Sequence, residues 1–357
     1  MTRRALILGA GQIGAAVALR LASEDWEVVV ASRHAVPLAG LSRPDARHPR
    51  LAHVALDRED NQAAARALQP GADAVIDTIA YEPRHADQLL AAQDGLGAIV
   101  VMSSAAVYRD HVGRNLDDAA VTGFPDFTGP ISEGQATVAP GPRNYSTRKV
   151  ALERRLLDAA DVPVTILRPA AVYGIGSRHP REWWFVKRML DGRPRIPLAH
   201  RGESRFHPTA AANIAAVVSA ALAAPGTRIL NAADPAAPTV AEIGATIASL
   251  MGYAGRIVPL DTGDAHGHAG VGLTPWSVPG SFVLDTSAAS ALGYRPATDY
   301  TASPGSGVSD LVAWLRSLDP DRWREHFPVL AAYPEPPFDY AAEDRHWELH
   351  ATAQKPE

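Results

Sequence analysis

The chain has 357 residues, 46% hydrophobic and 20% charged, enough for a sizeable core in one large domain or in a domain with a smaller lobe. Its formal charge of −5 gives no support for nucleic-acid or membrane-surface binding. There is no cysteine, which excludes disulfides, thiol catalysis, Cys-ligated zinc and iron–sulfur centres and suits a reducing, cytoplasmic setting.

The opening "MTRRALILGAGQIGAAVALRLA" carries basic residues before an apolar run, as a secretory leader does. Glycines at 9, 11 and 14 interrupt the run and a strand-like "EVVVAS" follows, so it reads as folded structure. No apolar run approaches the roughly 18 residues of a membrane span. The richness in Ala and Arg points to a GC-rich bacterial genome.

In chain order, "ALILG" (5–9) predicts a strand and 12–23 a helix; "EVVVAS" (27–32) and "LAHVAL" (51–56) predict strands, and 60–68 a helix. "DAVIDTIA" (73–80) predicts a strand, 84–93 a helix and "GAIVVMSS" (97–104) a strand. After a long loop come a helix at 145–160 and the strand "VPVTILRP" (162–169). Short runs apolar on both faces, alternating with helices, fit parallel strands in a doubly wound α/β sheet. Past residue 170 the rhythm changes to helices at 181–191, 209–223, 239–251 and 306–318 between Pro- and Gly-rich stretches. The end of the chain, "AAEDRHWELHATAQKPE", shows little pattern.

Gly9, Gly11 and Gly14 have G-x-G-x-x-G spacing, and they follow a predicted strand and open a predicted helix. In a Rossmann dinucleotide site the first glycine makes the tight turn, the second admits a pyrophosphate and the third lets helix and strand pack closely. Gln12 and Ile13 begin the helix, whose free N–H groups and dipole suit phosphate. A carboxylate for the ribose 2′-hydroxyl is missing from the end of the second strand, where Ser32 and Arg33 stand instead. A hydroxyl and a guanidinium suit a 2′-phosphate, so NADP is the expected cofactor, with NAD as the alternative and a solvated loop as the plain reading of Arg33. Asp57 is placed either to accept from the adenine amino group or to cap the next helix.

Only Lys149, Lys187 and Lys355 are lysines among 34 basic residues. Lys149 follows Tyr145 by four, on one face of the predicted helix. A nearby ammonium lowers a phenol's pKa, and a compact multi-donor ammonium reaches a ribose hydroxyl better than a guanidinium does.

"GAGQIG", "DAVIDTIA", "VVMSSAAVY" (100–108), "NYSTRK" (144–149), "ILRPAAVYGIGS" (166–177), "RFHPTAAANIAAVV" (205–218), "RILNAADPAAPTVAEI" (228–243) and "LDTSAASALGYRPA" (284–297) occur in family order. With them the chain resembles the extended short-chain dehydrogenase/reductase superfamily, the NAD-dependent epimerase/dehydratase-like branch, over roughly residues 4–320. The resemblance implies that Ser104 hydrogen-bonds the substrate oxygen, that Tyr145 is the general acid/base and that Lys149 holds the ribose. It places Ala80, Pro169 and Val172 beside the cofactor.

The chain also departs from that pattern. "SSAAVY" lacks the acidic pair of dehydratases, so dehydration is not expected. Residues 109–129 read as an insertion, and long loops of this kind are often lids or substrate contacts. "HPTAAAN" replaces the usual Asp pair, and no asparagine stands out to hold a catalytic water. Residues 178–205 hold eight basic and three acidic residues, a net of +5. The resemblance puts a substrate diphosphate in this region, making Arg178 and Arg205 candidates for an anionic substrate; a solvated basic helix over Trp183 and Trp184 is the competing reading. His266 and His268 read as loop residues rather than metal ligands.

The expectation is therefore a Rossmann domain over 1–170, with an inserted loop at 109–143, then a smaller substrate lobe over 171–320 with segments returning to the core, and a tail over 321–357. The expected activity is hydride transfer to or from a carbonyl or carbinol carbon of a small-molecule substrate, with reduction favoured. A nucleotide-sugar epimerase with retained cofactor and a non-catalytic NADP-binding sensor are the alternatives. No metal is expected, and a homodimer is left open.

Overall fold

The computed structural model describes residues 2–34, 49–261, 270–333 and 336–353. The chain divides into two compact units. The first comprises residues 1–172, 209–235 and 283–298, and the second residues 173–208, 236–282 and 299–357.

The first unit is built on a seven-stranded parallel sheet. Its first six strands in chain order are β1 (Arg4–Leu8), β2 (Glu27–Ser32), β3 (Leu51–Ala55), β4 (Ala74–Asp77), β5 (Ile99–Met102) and β6 (Val164–Pro169). The seventh is Arg228–Ala232, and the order across the sheet is Arg228–Ala232, β6, β5, β4, β1, β2, β3. Strands β4, β5 and β6 are buried along their whole length, as their uninterrupted apolar runs require. The edge strand β3 is mostly exposed.

Side chains alternate between two cores. Ile7, Val28, Val30, Ile76, Val100 and Leu167 pack on one face with α1 (Gln12–Ser23) and the helix Ala211–Ala223. Leu6, Leu8, Val75, Ile99, Val101 and Ile166 pack on the other. There they meet α2 (Asn61–Leu68), α3 (Pro83–Leu90) and the long helix Tyr145–Ala159. The doubly wound sheet read from the sequence is present; β1 and β2 keep the lengths of their apolar runs, and β3 to β6 are shorter than theirs.

In the second unit, helices Trp183–Leu190, Val240–Met251 and Gly307–Arg316 pack together beside two short parallel strand pairs. Residues 340–353, which carry no clear apolar period, form a helix (Tyr340–Ala353). It buries Ala342 and Trp347 and is tied by ion pairs, Glu343 with buried Arg188 and Asp344 with Arg193. No helix among the described residues is long and apolar enough to cross a membrane.

Candidate active site

The first turn over the sheet is built as its glycines suggest. Gly9 has φ +103°, and a Cβ there would lie 2.5 Å from Thr78 Oγ1. A Cβ on Gly14 would sit 2.0 Å from the Gly9 carbonyl oxygen, so this position is glycine because helix and strand touch. Gly11 differs. It is the N-cap of α1 with ordinary φ, and a Cβ there would meet nothing within 4 Å. No side chain caps the helix, and the buried Gln12 side-chain oxygen has no hydrogen-bond partner. Ile13, beside it, is half-buried. Open space over Gly11, uncapped helix N–H groups and an orphaned polar atom fit a phosphate-bearing dinucleotide.

At the end of β2 the Ser32 hydroxyl donates to the His34 carbonyl oxygen at 2.7 Å and lies 3.0 Å from His53 Nε2. Arg33 is exposed. Asp57 does not cap α2: Asp60 does, accepting from Gln62 and Ala63 N–H groups. Asp57 closes a turn on the Glu59 N–H at 3.0 Å and stays exposed beyond β3.

Ser104, Tyr145 and Lys149 converge over the C-terminal ends of β4 and β5. Ser104 begins a short 3-10 turn, Ala105–Val107, and accepts from the Ala106 N–H. Tyr145 is the first residue of its helix, behind the capping box of Asn144 and Thr147. Lys149, one turn on, is buried; its Nζ donates to Ala80 O at 2.6 Å and to Met102 O at 2.8 Å, and lies 5.6 Å from the Tyr145 ring centre. An ammonium has three N–H donors, so one is left for a ligand. Ala80 is buried, Pro169 ends β6, and Val172 is half-buried beyond it.

The electrostatics differ from the sequence reading in one respect. Tyr145 is 39% exposed overall, yet packing around its hydroxyl pushes the phenol up from its ordinary value. A hydrogen bond with Ser104 pulls it down, and the charges of Asp117 and Tyr81 push it further up. The hydrogen bond that lowers the phenol comes from Ser104, while the Lys149 ammonium, 5.6 Å from the ring centre, donates to two carbonyl oxygens. Burial brings the Lys149 ammonium down to about 8, with Asp77 and Glu153 opposing.

Three contributors had no sequence signal. Tyr81 stacks near Tyr145, ring centres 5.7 Å apart. Asp117 accepts from the Ser146 N–H at 2.7 Å. Beneath the site run two buried ion pairs, Arg58–Asp77 and Arg168–Glu153. Glu59, Glu82 and His85 bring ligand-type atoms together, but Arg84 pairs with both carboxylates. His85 Nδ1 also accepts from the Tyr81 and Glu82 N–H groups, which leaves the proton on Nε2. Ion pairing accounts for that cluster.

Arg178 and Arg205 belong to the second unit. Arg178 is exposed; Arg205 donates to Ala237 O and approaches Glu242 at 3.8 Å. Most of the basic run is neutralised locally: Lys187 pairs with Asp191, Arg201 with Asp261, and Arg188 and Arg193 with the C-terminal helix. Trp183 and Trp184 are buried beneath it. His266 and His268 lie outside the described residues.

A family model described as "NAD dependent epimerase/dehydratase family" matches residues 5–233. The fold is similar to that of UDP-glucose 4-epimerase from Thermus thermophilus in complex with NAD, at 19% identity and TM-score 0.62, covering 88% of this chain and 100% of that one. It is similar also to UDP-glucuronic acid 4-epimerase from Bacillus cereus in complex with NAD, at 19% identity and TM-score 0.65, covering 88% and 99%. A third similar fold is dTDP-glucose 4,6-dehydratase from Bacillus anthracis in complex with NAD, at 16% identity and TM-score 0.64, covering 92% and 99%. No curated protein sequence matches the chain.

Proposed function

Because the chain belongs to the NAD dependent epimerase/dehydratase family, we propose that it is a nicotinamide-dinucleotide-dependent oxidoreductase acting on a carbonyl or carbinol carbon. The observation that carries this reading is the convergence of Ser104, Tyr145 and Lys149 beside an open glycine turn. The bound dinucleotide would supply the hydride donor or acceptor. Ser104 would orient the substrate oxygen by a hydrogen bond, and Tyr145 would move a proton between its hydroxyl and that oxygen. Lys149 would offer its third N–H to a ribose hydroxyl. Tyr145 would give a proton in carbonyl reduction and take it back in carbinol oxidation. Exposed Arg33 after Ser32 supports recognition of a 2′-phosphate, and hence NADP.

The folds at hand favour a second reading, a nucleotide-sugar epimerase, since two of them are 4-epimerases of UDP-sugars. A cofactor retained through dialysis supports the epimerase; exchangeable NADPH with turnover on carbonyl compounds supports the reductase. In either enzyme Tyr145→Phe loses nearly all turnover while cofactor affinity changes little, and retained turnover rejects the assignment. Cofactor binding with no turnover on a broad panel of carbonyl compounds and UDP-sugars supports a sensor. Arg33→Ala weakens NADPH more than NADH; equal effects remove the case for NADP.

A further inference from the structure

The insertion at 109–129 is a folded segment fastened to the start of the Tyr145 helix. Asp110, its side chain fully buried, accepts from the Val112, Arg114 and Asp126 N–H groups and pairs with the Arg114 guanidinium. Asn115 accepts from the Asp117 and Asp118 N–H groups, and Asp118 pairs with Arg143. These bonds present Asp117 to the first turn of the helix, where Oδ2 accepts from the Ser146 N–H at 2.7 Å. Ser146 is itself fully buried, and its hydroxyl donates to Ala106 O at 2.9 Å, two residues after Ser104. Asp117, Ser146 and the Ser104 turn thus form one chain of bonds around Tyr145.

We propose that Asp117 is a positioning residue for the Tyr145 phenol, a carboxylate supplied by the insertion that fixes the helix's first turn against the Ser104 turn and holds a negative charge beside the phenol. The proposal takes the acid/base reading of Tyr145 as its premise. The other groups facing the phenol are Ser104 after β5, Tyr81 after β4, and Lys149 on the same helix. Arg148 stands over the Tyr81 ring at 5.5 Å and is matched by Glu82 at 3.9 Å. A negative charge disfavours the phenolate, in the direction found for Tyr145. Asp117 is exposed, so salt screens its effect.

The test is a phenolate absorbance titration of the full chain, each variant read against the same variant carrying Tyr145→Phe so that the difference reports Tyr145 alone. Asp117→Asn keeps an acceptor for the Ser146 N–H but loses the charge; the midpoint is expected to fall, and the fall to shrink as salt is raised. Asp117→Glu restores the charge and returns the midpoint towards that of the wild type. Where a carbonyl substrate is turned over, the basic limb of its pH profile moves with the midpoint, which a merely structural cap would not cause. An unmoved midpoint in Asp117→Asn overturns the proposal, whatever Tyr145→Phe does to turnover. Full turnover in Tyr145→Phe with a moved midpoint sinks the catalytic reading and leaves the electrostatic link standing.

Discussion

Lys149 Nζ donates to the Ala80 carbonyl oxygen at 2.6 Å, in the segment that follows β4. With the Met102 carbonyl as its second acceptor, the ammonium bridges the ends of β4 and β5. It sits in a buried alternation of charge, Arg58, Asp77, Lys149, Glu153, Arg168, in which the outer members are ion-paired and the inner acids raise the lysine's proton affinity against burial.

Two pH effects of opposite sign follow from that setting. Lys149 titrates at about 8 in the fold against an ordinary 10.5. Between those values the unfolded chain holds a proton that the folded chain has released, so the group makes stability rise with pH through that window. The proposed ribose contact needs the ammonium, so cofactor affinity falls as pH rises through about 8. Calorimetric titration with NADPH across that pH, and urea unfolding at each pH, measure the two effects. Lys149→Met should abolish both slopes; slopes unchanged in that variant would assign them to another group.

The Arg58–Asp77 pair is a stability prediction. Arg58 is 5% exposed and Asp77 fully buried, and Arg58 also donates to His85 O at 3.2 Å. Asp77→Asn leaves a buried guanidinium without its counter-charge and is expected to cost about 3–5 kcal/mol in urea unfolding. Arg58→Met combined with Asp77→Leu should recover most of that loss, because an apolar pair removes the stranded charge. A coupling energy near zero in the cycle of Arg58→Met, Asp77→Leu and the double variant would mean that the pair adds no net stability.

The unevenness of the sequence reading has a physical cause. The glycine turn, the central strands and the Tyr–Lys helix were legible because each is a local pattern: apolar runs, fixed Gly spacing, and two side chains one turn apart. Arg58–Asp77 joins a turn residue to one 19 positions on in β4, and Arg188–Glu343 joins residues 155 apart, so no local period marks them. For the same reason the +5 run over 178–205 looked like an anion site, while the acids that pair with Arg188 and Arg193 lie on a C-terminal helix without an evident apolar stripe. Asp117 escaped notice because the insertion has no pattern of its own. Asp57 was weighed as a helix cap when Asp60, three residues on, takes that place.

Gly11 separates what the glycine turn does for folding from what it does for binding. Its φ of −71° suits any residue, and a Cβ there meets no protein atom within 4 Å. Gly11→Ala is therefore expected to leave thermal stability unchanged or slightly higher, since alanine narrows the unfolded ensemble. Cofactor affinity should nevertheless fall by roughly tenfold or more, because the methyl occupies the space through which a pyrophosphate approaches the backbone. Gly14→Ala supplies the contrast: its methyl would press on the Gly9 carbonyl oxygen, so stability and binding should fall together. Thermal unfolding and NADPH titration on the two variants decide the matter. Unimpaired binding in Gly11→Ala would reduce the turn to a strand–helix connection and remove the dinucleotide from above it.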